Sequence, residues 1–176
     1  AAEKVVGWFG PERAAHFSDI LTAAASQPND SIEPLVSLLN DLSQPAIARA
    51  TAASLLTPAI SLPVVERAMT SATNDQSALL RTISVQALNS STNKVAALLD
   101  RLNDPVRAVR IAAAEGLIDV PSNRIPAPLI DALSRANEEY QTSLLVNADF
   151  PSGRMRMALD QHRRGNLDRA VEGYLA

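Results

Sequence analysis

The sequence predicts an all-α protein, a right-handed solenoid of short helix pairs, and three observations carry that expectation. Of 176 residues 30 are Ala and 22 are Leu, a composition that favours helix over strand. A segment built around an arginine recurs three times, as PAIARATAASLLT (45–57), QSALLRTISVQAL (76–88) and PVRAVRIAAAEGL (105–117). The arginines are Arg49, Arg81 and Arg110, at intervals of 32 and 29 residues. Each segment follows another stretch that is apolar at helical spacing, so the unit is a helix pair. One such pair cannot bury its apolar faces alone and must stack on the next.

The elements follow in chain order. Residues 11–25 read as an opening helix with Pro11 at its start, ended by Gln27-Pro28-Asn29-Asp30. In 31–42, Ile32, Leu35, Val36 and Leu39 share one helical face. Residues 61–72 and 92–103 are the corresponding stretches of the next two pairs, with Val95, Leu98, Leu99 and Leu102 aligned in the latter. Six residues before the repeat arginines lie Ser43, Asp75 and Asp104, residue types that cap helix N-termini. Pro105 then suits the first helical position. The stripe Val106, Val109, Ala113 and Leu117 continues the third segment. Pro58, Asn89-Ser90-Ser91 and Val120-Pro121-Ser122 separate the pairs. A long helix is expected over 126–147, carrying Leu129, Leu133, Ala136, Tyr140 and Leu144. Two shorter ones follow over 153–163 and 167–176, hinged at Gly165-Asn166, with Asp149 or Ser152 capping the first. The chain therefore divides into 1–125, helix pairs with an N-terminal capping helix, and 126–176, a continuation of the same architecture.

Composition also bounds the chemistry. There is no cysteine, which excludes a disulfide, a thiolate zinc site and a cysteine nucleophile within these residues. Basic residues number 16 and acidic 19, for a net charge of −3. Phosphate binding rests on excess Lys and Arg, so nucleic acid is not an expected partner. The longest uncharged run, Ala50 to Val65, is interrupted by Pro58 and Pro63 and is too short for a membrane span, so no membrane insertion is expected. No G-x-S-x-G, H-E-x-x-H or phosphate-binding glycine loop occurs. His16 stands on an amphipathic stretch, as a general base or, more simply, as a capping or half-buried residue. His162 lies in DQHRR, a polar helix end. Asp160 and His162 are two apart on a helix and face different ways, which argues against a metal pair. Neither catalytic, metal nor cofactor residues are assigned, and the chain is expected not to be an enzyme.

The Asp-x5-Arg spacing of Asp75/Arg81 and Asp104/Arg110, best seen in DPVRAVRIAAAEGL (104–117), resembles short HEAT-like repeats. Gly165, Leu167, Ala170 and Tyr174 fall where a tetratricopeptide repeat has its hinge glycine, small residue and aromatic. Arg154 and Ala158 depart from that pattern, and the repeat is cut short at Ala176. The order of parts is similar to the HEAT-plus-tetratricopeptide region of large exported bacterial proteins that carry an N-terminal multihaem cytochrome c domain. That resemblance implies a periplasmic, redox-associated parent of which this chain is a fragment. Any haem would lie in a missing upstream domain, with no ligand in this chain.

The expected function is an interaction scaffold for another protein or a neighbouring domain of the same polypeptide. An accessory or chaperone-like helical repeat protein of the lyase type, cradling a prosthetic group, is the alternative. The candidate contact residues are Trp8, Phe9, Arg49, Arg81, Arg107, Arg110, Arg154 and Arg164. Trp8-Phe9 would be a docking patch or a cap folded over the first pair. Arg49, Arg81 and Arg110 would line a binding face or pair with the acids of their own or the next repeat. Arg107 lies outside the repeat pattern. Arg154, Arg156, Arg163, Arg164 and Arg169 form the densest basic cluster, able to hold an anionic peptide or simply to face solvent.

Overall fold

Ten α-helices and no strand occur among residues 16–27 and 29–175, the residues that the computed structural model describes. They are α1 (Phe17–Ser26), α2 (Ile32–Asn40), α3 (Ala46–Leu56), α4 (Pro63–Ala72) and α5 (Ala78–Leu88), then α6 (Lys94–Leu99), α7 (Arg107–Gly116), α8 (Ile130–Leu145), α9 (Pro151–Arg163) and α10 (Leu167–Leu175). Trp8, Phe9 and the expected start of the first helix at Pro11 lie outside the described residues. Helix α2 packs on α3, α4 on α5, and α6 on α7. Across the pairs α3 packs on α5, α5 on α7 and α7 on α8. The result is a row of helices in which each element meets its near neighbours in sequence.

The two kinds of helix divide the packing between them. Helices α2, α4 and α6 supply large side chains to one side: Leu35, Leu38 and Leu39, then Val65 and Met69, then Leu98 and Leu99, all buried. Helix α3 is covered by its own partner and by α5. It buries Ala48, Ala50, Ala52 and Ala53, none above 2 % exposed. Helix α7 does the same with Ala112, Ala113 and Ala114. A helix enclosed on several sides needs short side chains for its neighbours to reach packing distance. The high alanine count is thus concentrated on the inner helices. Tyr140 and Leu144 of α8 close the far end of this core.

Local geometry corrects several sequence expectations. Asp75 and Asp104 are not helix N-caps. The caps are Ser77 and Val106, without a side-chain capping bond. Each aspartate instead accepts from the N–H two residues ahead, Ser77 at 2.8 Å and Val106 at 2.9 Å, in an Asx turn that leads into the helix. Ser43 likewise caps nothing, because Pro45 holds that position and Ser43 donates to Asp41. Pro105 therefore precedes the helix rather than opening it. Helix α8 begins later than expected, after a 3₁₀ turn over Ala127–Leu129. Phe150, not Asp149 or Ser152, stands at the N-cap of α9. Gly165 has φ +79°, the left-handed conformation that lets α9 turn tightly into α10.

Helices α8 and α9 meet closely at Gly153. A Cβ there would lie 1.7 Å from the carbonyl oxygen of Asn147. A backbone atom cannot rotate aside, so Gly153→Ala must push α9 off the end of α8. The expected loss is about 1–3 kcal/mol of stability, measured as a lowered urea midpoint with unchanged helical circular dichroism at low denaturant.

Candidate functional site

The repeat arginines join one helix pair to the next. Arg49 on α3 donates from Nη2 to Asp75 at 2.6 Å and from Nε to the Leu39 carbonyl at 2.9 Å. Arg81 on α5 forks onto Asp104, with Nε at 2.8 Å and Nη2 at 2.9 Å. Arg110 on α7 forks onto Glu139 of α8, at 3.0 and 2.5 Å. The third nitrogen of the last two turns back: Arg81 Nη1 to the Asp75 and Gln76 carbonyls, Arg110 Nη1 to those of Asp104 and Pro105. Each of these two guanidinium groups therefore fastens the turn before its own helix to the acid of the next unit. The side chains of Arg49 and Asp75 are each 9 % exposed, and those of Arg81 and Asp104 are 11 and 1 % exposed. Arg110 and Glu139, at 24 and 28 %, are wetter.

Electrostatics follow burial. Desolvation pushes the Asp104 carboxyl up, but the bonds from Arg81 and the Val106 N–H, with the charges of Arg81 and Arg101, outweigh it and hold the pKa below the usual value. The Arg110 fork does the same for Glu139. Burial, with the charges of Glu115 and Asp160, pushes the Tyr140 phenol up to about 12. A second set of links runs along the other helices. Ser91 Oγ and Asn93 Nδ2 donate to Glu66, and Lys94 Nζ reaches Asp119 at 3.0 Å. Asp119 also lies 3.7 Å from Arg163 of α9.

The C-terminal elements present two different surfaces. One is a polar groove of about 570 Å³ between α8 and the α9–α10 turn. Asn137, Gln141, Gln161, Asn166, Arg164, Arg169 and the acidic Glu138 line it. Asn137 Oδ1 is shielded from solvent and receives no hydrogen bond from a described residue. Arg164 Nε donates to both oxygens of the buried Asp160 at 3.0 Å, and Gln141 joins the same carboxylate. Arg169 donates no hydrogen bond to any described residue. Arg154 borders a smaller cavity of about 210 Å³ with Met157, Ala158, Gln161, Arg169 and Gly173.

Of the sequence candidates, Arg49, Arg81 and Arg110 lie together along the helix row, with their guanidinium groups engaged in these pairs. Arg107 is exposed, with Nη2 3.4 Å from the Glu139 carbonyl. Arg154 and Arg164 lie apart from that row, at the C-terminal hairpin. His16 caps α1: its Nδ1 accepts from the Ser18 N–H, and its own N–H donates to Asp19. His162 touches the Tyr174 ring edge-on. The carboxamides of the groove carried no signal in the sequence, because single Asn and Gln residues on different helices form no motif. No described helix is long and apolar enough to cross a membrane. No protein-family model, curated protein or solved structure matches the chain.

Two outcomes follow from this ladder of arginine–acid pairs. Asp104→Ala leaves Arg81 without its partner in a buried site and should cost about 3–5 kcal/mol, read by urea unfolding at neutral pH. A carboxyl whose folded pKa lies below its unfolded value stabilises above the unfolded pKa and loses that contribution as pH falls through the folded one. Wild-type stability should therefore decline below about pH 4, and Asp104→Asn should flatten that acid limb in an unfolding series from pH 7 to 3.

Proposed function

We propose that the chain is a non-enzymatic interaction scaffold, a right-handed solenoid of HEAT-like helix pairs that ends in a tetratricopeptide-like pair. In this reading it holds an extended segment of another protein, or of a neighbouring domain of the same polypeptide, in the groove between α8 and the α9–α10 turn. The observation that carries the reading is the groove's chemistry. A carboxamide offers an N–H and a C=O side by side, the same pair that a peptide group offers. Gln141 already donates to Asp160 and Asn166 to Gln161, and the donors and acceptors left over on Asn137, Gln141, Gln161 and Asn166 suit a main chain more than any one side chain. Arg169 adds a guanidinium able to fork onto a carboxylate at one end.

The bonds of Gln141 and Arg164 to the buried Asp160 support the same reading by fixing α8 against α9, since a preordered groove loses less freedom on binding. The resemblance of 104–117 and 148–176 supports extending the proposal to an exported, redox-associated parent protein. The test is selection of displayed peptides on the immobilised chain. It should enrich segments with an acidic residue or a free carboxyl terminus. Arg169→Glu should weaken the enriched peptides about tenfold or more in fluorescence anisotropy, with no change in the unfolding midpoint. Failure to enrich, or peptides indifferent to Arg169→Glu, would remove the groove from the proposal.

A further inference from the structure

The α9–α10 hairpin has a second side, facing away from the groove. Met155 and Leu159 of α9 share it with Leu167, Val171 and Tyr174 of α10, each between 40 and 59 % exposed. Helical spacing puts Met155, Leu159 and His162 on one face of α9, and Leu167, Val171 and Tyr174 on one face of α10. The contact of His162 with Tyr174, 6.4 Å between ring centroids, shows that the two faces adjoin. The seam between them is tight, since a Cβ on Gly173 would come within 2.9 Å of that of Ala158. Adjoining exposed apolar side chains on one hairpin form the kind of patch that marks an interaction surface.

Its edges are charged, and the two edges differ in sign. Beyond Leu159 the α9 side carries Arg156 and Arg163. Beyond Val171 the α10 side carries Asp168 and Glu172. We propose that a second copy of this chain covers the face, through a two-fold axis that runs parallel to α9 and α10. That axis sets each α9 against the other copy's α10, so that the basic edge of one meets the acidic edge of its partner twice over. A two-fold axis across the helices would instead place basic on basic and acidic on acidic. The Ala158–Gly173 register brings Leu159 to the height of the partner copy's Val171. It likewise brings Arg163 level with Asp168, and Arg156 within a turn of Glu172. The interface is an isologous four-helix arrangement, in which one patch is complementary to itself.

The pairing is independent of what the polar groove binds, because the two surfaces lie on opposite sides of the hairpin. Sedimentation equilibrium of the whole chain should show a monomer–dimer equilibrium. Val171→Glu, a substitution at an exposed position, should leave a folded monomer by circular dichroism that still binds the groove-selected peptides. Arg156→Glu and Glu172→Arg should each weaken the dimer about tenfold. Both changes in one chain should return it to within about threefold of wild type, because each pair then has its signs exchanged. A chain that stays monomeric throughout, a series of larger species growing with concentration, or a dimer indifferent to Val171→Glu would each overturn the pairing.

Discussion

Everything in the helix row depends on one arrangement, an arginine on one helix held by the acid in the turn between the two helices of the next pair. Asp75 and Asp104 each do two things at once. One oxygen accepts the backbone N–H that forms the turn into α5 or α7, and the carboxylate receives the arginine of the preceding pair. Local turn geometry and contact between units are thereby set by a single group. A neutral hydrogen-bonding residue would form the turn without attracting the guanidinium. A lysine would offer a point charge but not the fork that Arg81 makes onto Asp104 while its third nitrogen reaches back to Asp75 and Gln76. A buried ion pair is not in itself strong evidence for stability, since both charges lose water. Here the geometry answers the desolvation: Arg81 makes four hydrogen bonds to protein acceptors.

That arrangement also explains the uneven use of alanine. The arginines sit on α3, α5 and α7, the helices that must approach both their own partners and each other. Short side chains on α3 and α7 bring the units close enough for the guanidinium of one to reach the acid of the next. The last rung differs. Glu139 belongs to a helix rather than to a turn, and its pair with Arg110 is the most solvated of the three. Beyond it the chain changes device. Asp160 is buried, and Gln141 and Arg164 join α8 to α9 through it, with Gly153 drawn against the Asn147 backbone.

The helices, the repeat spacing and the hinge at Gly165 were legible in the sequence because they rest on local periodicity and on one positive φ. The aspartates were legible as important but not in their role. A helix N-cap and an Asx turn placed two residues before it favour the same residue types, so spacing alone could not separate them. The pairing of Arg49, Arg81 and Arg110 with the following unit was one of two sequence alternatives, and choosing between them needed the third dimension. Asn137, Gln141, Gln161 and Asn166 converge from two helices and a turn, at separations no motif records. Trp8 and Phe9 stood out by composition, yet lie outside the described residues. The opposed charged edges of α9 and α10 were hidden because the two helices share a face only once the hairpin has closed.

The α9–α10 hairpin therefore carries unlike chemistry on its two sides, and the two proposals made for it reinforce one another physically. A groove that grips a main chain through carboxamides and one guanidinium reads little sequence, so each contact is individually weak. Pairing through the apolar side would bring two such grooves into one rigid body. A partner presenting two suitable segments would then engage the second groove at an effective concentration fixed by their separation, gaining avidity without any new contact. Stiffness decides whether that gain is realised, because a loose contact between α8 and α9 would spread the grooves over many separations. The bonds of Gln141 and Arg164 to Asp160, with Gly153 drawn against Asn147, restrict that spread. The protein would in this way act by holding geometry, with the hairpin supplying both contacts.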